Sequence, residues 1–310
     1  MAITLHIEPR KEYTWDAFRQ HFPPYSIALD GFVRDSTQRD PRGPYANFDH
    51  HVGCDRTSTR STAAQVAMEI NLGLFRTFRK EGIPTAQVCI DDPDEDTCLS
   101  YWELKNHELV EGHGNPTINR LIFCEDMLDA TAGAYPLGDT AMRRTMAWIF
   151  QPYNDARFAG RIAQMDASGM RDIVEAVGSR ITQYILGQAE QLPLEGHFES
   201  IGGGNGWSMT RETGPASRMA MYNSGICAFV TLVAEKPDGS RVFALGKKSL
   251  WVPTLDLPRI YARCNREESA IVTPDNRWNG SGTTGGSPKG TGSRLTPQQL
   301  QDIIQDEMSK

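Results

Sequence analysis

The first half of the chain alternates short apolar runs with longer stretches of helical periodicity. Three apolar runs, at residues 25–29, 86–90 and 121–124, each end in acidic residues. We interpret each run as a buried strand that delivers carboxylates at its C-terminal end, which is where open α/β sheets bind their ligands. Strands that alternate with helices predict a parallel sheet.

The positions between these runs predict the remaining elements of this half. Residues 3–7 alternate weakly and are interpreted as an edge strand. The stretches with helical periodicity are residues 12–21, 63–75, 97–104 and 155–192. We expect a break in the last stretch near Gly169.

Composition changes after Pro193, where a second region begins. The elements predicted there are a turn, a hairpin closed at Asp238-Gly239 and two helices, at residues 202–206, 228–245, 258–264 and 296–309. We therefore predict an α/β protein of two domains. Residues 1–193 form a catalytic domain with a parallel sheet and flanking helices, and residues 194–310 form a smaller α/β domain that binds substrate.

The overall composition is that of an ordinary globular protein. Charged residues make up 23% and hydrophobic residues 39% of the chain. No run approaches the roughly 18 apolar residues of a membrane span, and the N-terminus lacks a signal-peptide pattern. The net charge of −7 argues weakly against a basic surface that tracks nucleic acid. The six cysteines contain no Cys-x-x-Cys pair, so we expect reduced cytoplasmic thiols and no thiolate zinc site.

Three metal-capable side chains stand in a row at Asp49, His50 and His51. An aspartate oxygen and a histidine nitrogen together suit Mn²⁺, Fe²⁺ or Zn²⁺. In an extended segment Asp49 and His51 share one face and His50 points to the other, so all three meet one site only where a strand ends and turns. The alternative is a polar loop with two surface histidines.

A second candidate is the acidic stretch at residues 91–96, which has five carboxylates in six residues. Crowded carboxylates repel one another, which raises some of their pKa values unless a cation lies among them. Asp94 and Asp96 are the strongest pair, because they follow a strand and precede a helix that carries Ser100. The alternative is a solvated acidic loop or an N-terminal helix cap.

Together these motifs resemble those of the DHH phosphoesterase superfamily, which includes RecJ-type exonucleases, oligoribonucleases, cyclic-dinucleotide phosphodiesterases and family II inorganic pyrophosphatases. The motif that names the family matches Asp49-His50-His51. Asp30 is similar to the aspartate that ends an earlier strand, and Ser61-Thr62 to the pair that opens the following helix. The family's Asn-Pro-Asp-x-Asp motif resembles residues 92–96. The resemblance covers residues 25–135.

The chain departs from the family pattern in two ways within this range. The Pro-Asp-x-Asp motif normally precedes the other two but follows them here, which we interpret as a permuted strand order. The alternative is that residues 91–96 take the role of the fourth motif and that the first is missing. The histidine ligand that precedes the first aspartate in the family falls on Ile90, so that Asp91, Asp92 or His113 would have to replace it.

The resemblance implies ligands for two metal ions. They are Asp30, which would bridge the ions, together with His50, Asp94, Asp96 and Asp126, or Asp129 in place of Asp126. Such an oxygen-rich set with one histidine suits Mn²⁺, with Mg²⁺ as second choice. His51 is the implied catalytic group that contacts substrate, and Asp49 is the group that orients it.

A glycine-rich segment at residues 279–294 belongs to a weaker likeness over residues 240–294. The family's associated C-terminal domain has a glycine-rich substrate loop, although the usual histidine of that loop is missing here. Glycines let backbone N–H groups approach an anion closely, and basic side chains supply charge. The candidate substrate-binding residues are Gly285, Gly286, Lys289 and Arg294. The alternative is a flexible linker before the last helix.

We therefore expect a metal-dependent phosphoesterase that hydrolyses a phosphoester or phosphoanhydride bond of a nucleotide or short oligonucleotide. Two metal ions would activate the attacking water and stabilise both oxygens of an in-line displacement at phosphorus. One alternative is a catalytically decayed module on the same fold that binds nucleotides. Another is a metal hydrolase of a different bond class, such as an amide. We expect no membrane partner. The sequence is compatible with a homodimer.

Overall fold

The computed structural model describes residues 2–112, 114–194, 196–214, 216–274 and 276–309, and within these ranges it contains 12 α-helices, one short 3-10 helix and two sheets. This mixed content, with one largely parallel sheet, confirms the predicted α/β class. The chain divides into two compact units. The first comprises Met1–Ala130, Leu137–Tyr153 and Met165–Leu192, and the second comprises Thr131–Pro136, Asn154–Gln164 and Pro193–Lys310.

The sheet of the first unit is largely parallel. Its strands are β1 (Ala2–Ile7), β2 (Ser26–Leu29), β3 (Gln38–Asp40), β4 (Tyr45–Phe48), β5 (Arg79–Lys80) and β6 (Ile83–Ile90). They lie in the order β1-β6-β2-β4-β3, and β5 pairs with β6. The pairs among β1, β6, β2 and β4 are parallel, whereas β3 and β5 are antiparallel to their neighbours. Every residue of β2 and β4 is buried, as expected of strands covered on both faces.

Nine helices follow the chain through the first unit and into the second. They are α1 (Trp15–His21), α2 (Thr62–Asn71), α3 (Leu74–Thr77), α4 (Glu95–Lys105), α5 (His107–Val110), α6 (Pro116–Ala130), α7 (Thr140–Ile149), α8 (Gln151–Phe158) and α9 (Ala167–Ile185). The hydroxyl of Ser61 accepts a hydrogen bond from the amide of Ala64 at 3.2 Å, so it caps α2 as the sequence predicts. Among the described helices, none combines the length and the apolar composition needed to cross a membrane.

The apolar run at residues 121–124 is not a strand, and that prediction is wrong. It lies in the middle of α6, whose buried positions recur at intervals of three and four residues. Glu125 and Asp126, which we expected at a strand end, therefore project from a helix. Pro116 occupies the first helical position, where proline is common, and therefore marks the start of α6. The prediction considered only the apolar run and did not use this signal.

The stretch at residues 155–192 is also interrupted elsewhere than expected. The carboxylate of Asp166 accepts a hydrogen bond from the amide of Gly169 at 2.9 Å and caps the start of α9. Gly169 therefore lies inside the first turn of α9, and the break precedes it. Since α9 ends at Ile185, the prediction of a helix as far as residue 192 is wrong.

The second unit contains a mostly antiparallel sheet. Its elements are β7 (Phe198–Gly204), β8 (Trp207–Glu212), α10 (Ser217–Asn223), β9 (Ala228–Glu235), β10 (Arg241–Lys247), α11 (Leu257–Glu267), β11 (Asn279–Gly280), β12 (Thr284–Gly286) and α12 (Pro297–Met308). The order is β11-β12-β10-β9-β8-β7, and only β8 and β9 pair in parallel. The predicted hairpin and both predicted helices are confirmed. Residues 202–204 belong to β7, so only the end of that predicted turn is correct.

The core of the second unit joins the sheet to α11 and α12. The buried residues of α11 recur at helical spacing and are Leu257, Ile260, Tyr261 and Cys264. They form one hydrophobic cluster with Leu300 and Ile304 of α12 and with inward-facing residues of β8, β9 and β10. At the start of α12, Thr296 and Gln299 form a reciprocal capping box.

Candidate metal centre

Three adjacent strands of the parallel sheet end at the candidate site. Because β6, β2 and β4 are neighbours and parallel, their C-terminal ends share one edge of the sheet. Asp30 follows β2 directly, Asp49 follows β4 directly, and residues 91–96 lead from β6 into α4. Asp30 has φ 47°, so the backbone turns sharply where β2 ends. This edge therefore brings together three segments that lie apart in the sequence.

The imidazole of His50 is fully buried and faces carboxylates from three other segments. Its Nε2 lies 2.8 Å from Oδ2 of Asp129, 3.6 Å from Oδ1 of Asp30 and 3.9 Å from Oδ2 of Asp96. Neither ring nitrogen makes a well-aligned hydrogen bond within the described residues. A buried nitrogen surrounded by carboxylate oxygens and lacking an aligned partner is a donor set that fits a divalent metal ion.

His51 is held by its neighbour Asp49. Its Nδ1 lies 3.0 Å from Oδ1 of Asp49 and 3.4 Å from Oδ1 of Asp30. The other Asp49 oxygen accepts the backbone amides of His51 at 3.0 Å and Val52 at 3.1 Å. Burial raises the pKa of Asp49, but these hydrogen bonds outweigh it and hold that pKa below its ordinary value. The side chain of His51 is 38% exposed, so its ring is fixed on one edge and accessible elsewhere.

Asp96 connects the first turn of α4 to the first turn of α2. Its two oxygens accept the amides of Thr62 at 2.6 Å and Ala63 at 2.7 Å. The hydroxyl of Thr62 donates to Oδ1 of Asp30 at 2.9 Å. The N-terminus of a helix carries partial positive charge, so α2 stabilises anions at this point. Thr62 and the α2 amides thereby hold two candidate ligands in place.

Asp94 is the N-terminal cap of α4 and lies outside the close groups of metal-capable side chains among the described residues. Its Oδ1 accepts a hydrogen bond from the amide of Thr97 at 2.9 Å, so Asp94 is the N-terminal helix cap that the sequence offered as an alternative. Burial raises the pKa of Asp94 and of Asp96 well above the ordinary range, and repulsion from nearby carboxylates, Asp30 among them, adds to it. The pKa of Asp30 is raised mainly by burial. A bound cation would relieve this repulsion.

Asp129, and not Asp126, lies beside His50. Oδ1 of Asp126 accepts the amide of Ser61 at 2.7 Å, and its Oδ2 lies 2.7 Å from Nη2 of Arg60. Both oxygens are therefore engaged away from the His50 cluster. Of the two candidates that the sequence left open, the structure brings only Asp129 together with the other candidate ligands. The two residues are one helical turn apart on α6 and point to different neighbours.

Two further buried groups stand near this cluster. Arg56 is 6% exposed, and its Nη2 contacts Asp129. Arg56 therefore does not belong to a solvated face of the protein. Glu125 is 2% exposed, and burial together with repulsion from Glu95 and Asp96 raises its pKa. Sequence reasoning assigned Glu125 no role, because it treated this part of α6 as a strand end.

Ile90, which occupies the position of the family histidine, is fully buried at the end of β6. Asp91 is buried and Asp92 partly buried on the segment that follows. Neither aspartate belongs to the clusters of close metal-capable groups among the described residues. His113, the third candidate replacement, lies outside the described residues.

The proposed substrate-binding residues all belong to the second unit. Gly285 and Gly286 lie in β12, so residues 279–294 are not a flexible linker. A Cβ atom at Gly285 would come within 2.2 Å of the Tyr261 hydroxyl, so close packing requires a glycine there. Arg294 donates to the backbone oxygen of Asp238 at 2.7 Å and to its carboxylate at 3.0 Å. Lys289 is exposed.

Comparison with models of known protein families gives no match to this chain, and comparison with curated proteins finds no significant relative. The likeness to the DHH phosphoesterases therefore stays a prediction. It depends on the motif residues and on the chemistry of the site described above.

Proposed function

We propose that this protein is a metal-dependent hydrolase of phosphoester or phosphoanhydride bonds in a nucleotide or short oligonucleotide. The observation that carries the proposal is the environment of His50, whose Nε2 faces the carboxylates of Asp30, Asp96 and Asp129 at the C-terminal edge of a parallel sheet. These groups come from four separate segments of the chain. Buried carboxylates gathered in this way need compensating cations.

The donor chemistry supports manganese, with magnesium as second choice. His50, Asp30, Asp96 and Asp129 would hold one ion, and Asp94 with Asp30 would contribute to a second. Two divalent ions bound there would lower the pKa of an attacking water and would neutralise negative charge at the phosphoryl group. The six cysteines are all unpaired, which supports a reducing, cytoplasmic setting. The close groups of metal-capable side chains among the described residues contain only aspartate and histidine, which supports oxygen and imidazole ligation.

The chain's own residues provide the orientation. Asp49 fixes the rotation and the tautomer of His51 through Nδ1, which leaves Nε2 of His51 for a substrate oxygen. Thr62 and the first amides of α2 keep Asp30 and Asp96 in place. In the second unit, Gly285, Gly286, Lys289 and Arg294 remain our proposed contacts to substrate. Arg294 would have to exchange its hydrogen bond to Asp238 for one to the substrate.

The test is the metal content of the purified protein, measured by inductively coupled plasma mass spectrometry after soaking in Mn²⁺ and desalting. We expect roughly two ions per chain in the wild type and a loss of metal in His50→Gln. Asp302→Asn, at an exposed position of α12, is the matched control and should keep its metal. Metal-loaded protein is then assayed against phosphodiester, phosphoanhydride and amide substrates.

The outcomes separate the alternatives. A wild type that holds no metal would leave the decayed nucleotide-binding module as the better explanation, and nucleotide binding without turnover would support it. Metal binding with cleavage of amides alone would replace the phosphoesterase by a hydrolase of another bond class.

A further inference from the structure

The guanidinium of Arg56 lies among the carboxylates of the candidate metal centre. Arg56 belongs to the segment between His51 and α2, and its side chain is 6% exposed. Its Nη2 lies 2.9 Å from the backbone oxygen of Asp129 and 3.1 Å from each of the carboxylate oxygens of that residue. An arginine is permanently charged, so its burial here must be compensated by the surrounding carboxylates.

The hydrogen-bonding capacity of this guanidinium is only partly used by the protein. All three of these contacts go through Nη2. The Nε–H is buried and has no hydrogen-bond acceptor within the described residues. A buried donor without an acceptor is unfavourable, so an arginine in this state is suited to receive an acceptor from outside the chain.

The surroundings of Arg56 indicate what kind of acceptor this would be. Burial lowers the pKa of Arg56, but the charges of Asp129, Asp30, Asp96 and Asp49 outweigh burial and raise it. Its contact with the carboxylate of Asp129 places the guanidinium beside a proposed metal ligand, where a phosphoryl group would bind. Planar guanidinium groups match phosphoryl oxygens in geometry and in charge.

We propose that Arg56 binds a phosphoryl oxygen of the substrate through Nε–H while its Nη2 holds Asp129. This assignment rests on the proposed phosphoester hydrolysis and adds a catalytic residue to it. A donor fixed at that point stabilises negative charge that develops on the phosphoryl oxygens during displacement. The second contact, to Asp129, places the metal ligand and the phosphoryl-binding donor at a fixed distance.

Arg60 provides a matched control within the same segment. It pairs with Asp126 at 2.7 Å, just as Arg56 pairs with Asp129 on the same helix. However, the side chain of Arg60 is 48% exposed, and Asp126 is outside the His50 cluster. The two arginines therefore differ in their access to the candidate centre and not in the kind of partner they have.

The experiment measures the binding of inorganic phosphate by calorimetry, with and without Mn²⁺, to wild type, Arg56→Lys and Arg60→Lys. Lysine keeps the positive charge but lacks the Nε–H of the planar fork. We expect Mn²⁺-loaded wild type to bind phosphate, Arg56→Lys to bind it at least tenfold more weakly, and Arg60→Lys to match the wild type. Manganese content and thermal melting are recorded for each variant, and Arg56→Lys should retain both.

Three results would overturn the assignment. Loss of manganese in Arg56→Lys together with loss of phosphate binding would make Arg56 a positioning residue for Asp129. Equal losses in Arg56→Lys and Arg60→Lys would reduce the effect to general charge. Wild type that holds manganese but binds no phosphate would remove the assignment and leave the metal site standing. By contrast, Arg56-dependent phosphate binding in a protein without metal would keep the assignment and remove the proposed hydrolase.

Discussion

Oδ2 of Asp129 lies 2.8 Å from Nε2 of His50, and this contact joins the end of α6 to the segment that follows β4. Burial opposes ionisation of Asp129, but His50 and Arg56 together hold its pKa below the ordinary value. Asp129 therefore differs from Asp94 and Asp96, whose pKa values are raised by burial. Asp126 instead accepts the amide of Ser61 and pairs with Arg60, so Asp129 and Asp126 have separate and testable roles.

Asp129→Asn should weaken Mn²⁺ binding by at least ~10-fold, since an amide is a poorer metal ligand than a carboxylate. Asp126→Ala should keep the metal and instead lower the free energy of unfolding by about 1–3 kcal/mol, because the buried amide of Ser61 loses its acceptor. Metal titration and urea unfolding of both variants test this pair. Weaker metal binding in Asp126→Ala than in Asp129→Asn would reverse the assignment.

Asp49→Asn should separate catalysis from metal binding. The oxygen of the amide is needed as acceptor for the backbone amides of His51 and Val52, so the NH2 group of the asparagine faces Nδ1 of His51. An NH2 group donates and does not accept, so the favoured tautomer of His51 is lost. We expect a decrease in activity of about 10- to 100-fold with unchanged manganese content. The comparison is made on the phosphoester substrate that the wild type cleaves best, with Asp302→Asn as control. Full activity in Asp49→Asn would remove the proposed orienting role.

The sequence predicted the strands that carry the site better than it predicted the helix that completes it. Strands β2 and β6 each end in a short, mostly apolar run that is followed directly by acid, and this local pattern is sufficient to locate Asp30 and residues 91–96. The run at residues 121–124 has the same local pattern but lies in α6. Four apolar residues fit either element, and only the tertiary contacts of α6 decide between them.

Side-chain partners were the second limit of prediction. Spacing alone could not distinguish Asp126 from Asp129, because both are within one turn of the same helix and their partners are distant in sequence. The glycines near residue 285 suggested either a substrate loop or a linker. In the structure a glycine is required at Gly285 because the hydroxyl of Tyr261, on α11, leaves no room for a Cβ atom. Long-range contacts of this kind leave no periodic signal in the sequence.

The buried ion pair in the second unit predicts a stability that depends on acid pH. Glu212 is 5% exposed and lies 2.8 Å from Nε of Arg218 and 3.3 Å from Nη2 of Arg157. Burial raises its pKa, but the two arginines outweigh burial and hold the pKa below 4.5. The stabilisation is therefore fully present above pH 4.5 and is lost as the pH falls through the lower pKa of the folded protein.

Glu212→Gln should remove this dependence. At pH 7 we expect it to lower the free energy of unfolding by about 1–3 kcal/mol, and the difference from wild type should shrink as the pH falls below 4.5. Urea unfolding between neutral and acid pH measures both effects. Glu235→Gln, which alters the more exposed pair with Arg241, is the control and should change stability by less than ~1 kcal/mol. A constant difference between Glu212→Gln and wild type at all pH values would contradict the prediction.

Gly285 and Tyr261 predict opposite effects for two small substitutions. The hydroxyl of Tyr261 is buried without a hydrogen-bond partner in the described residues, so Tyr261→Phe should be neutral or stabilising by up to ~1 kcal/mol. Gly285→Ala should destabilise, because its Cβ would approach that hydroxyl to 2.2 Å and the backbone oxygen of Asn279 to 2.5 Å. Overpacking of this kind costs about 1–3 kcal/mol.

The double variant separates the two contacts. Removing the hydroxyl relieves the clash with Tyr261 but not the clash with the Asn279 backbone, so Tyr261→Phe should rescue Gly285→Ala only in part. Thermal melting of the four proteins in the cycle gives the coupling. The control is Gly138→Ala, because a Cβ atom at Gly138 would meet no other atom within 4 Å, and this variant should melt like wild type. Gly239 is unsuitable as a control position, because its φ of 79° would strain an alanine. If Gly285→Ala melts like Gly138→Ala, close packing does not explain the glycine, and its role as a proposed substrate contact gains weight.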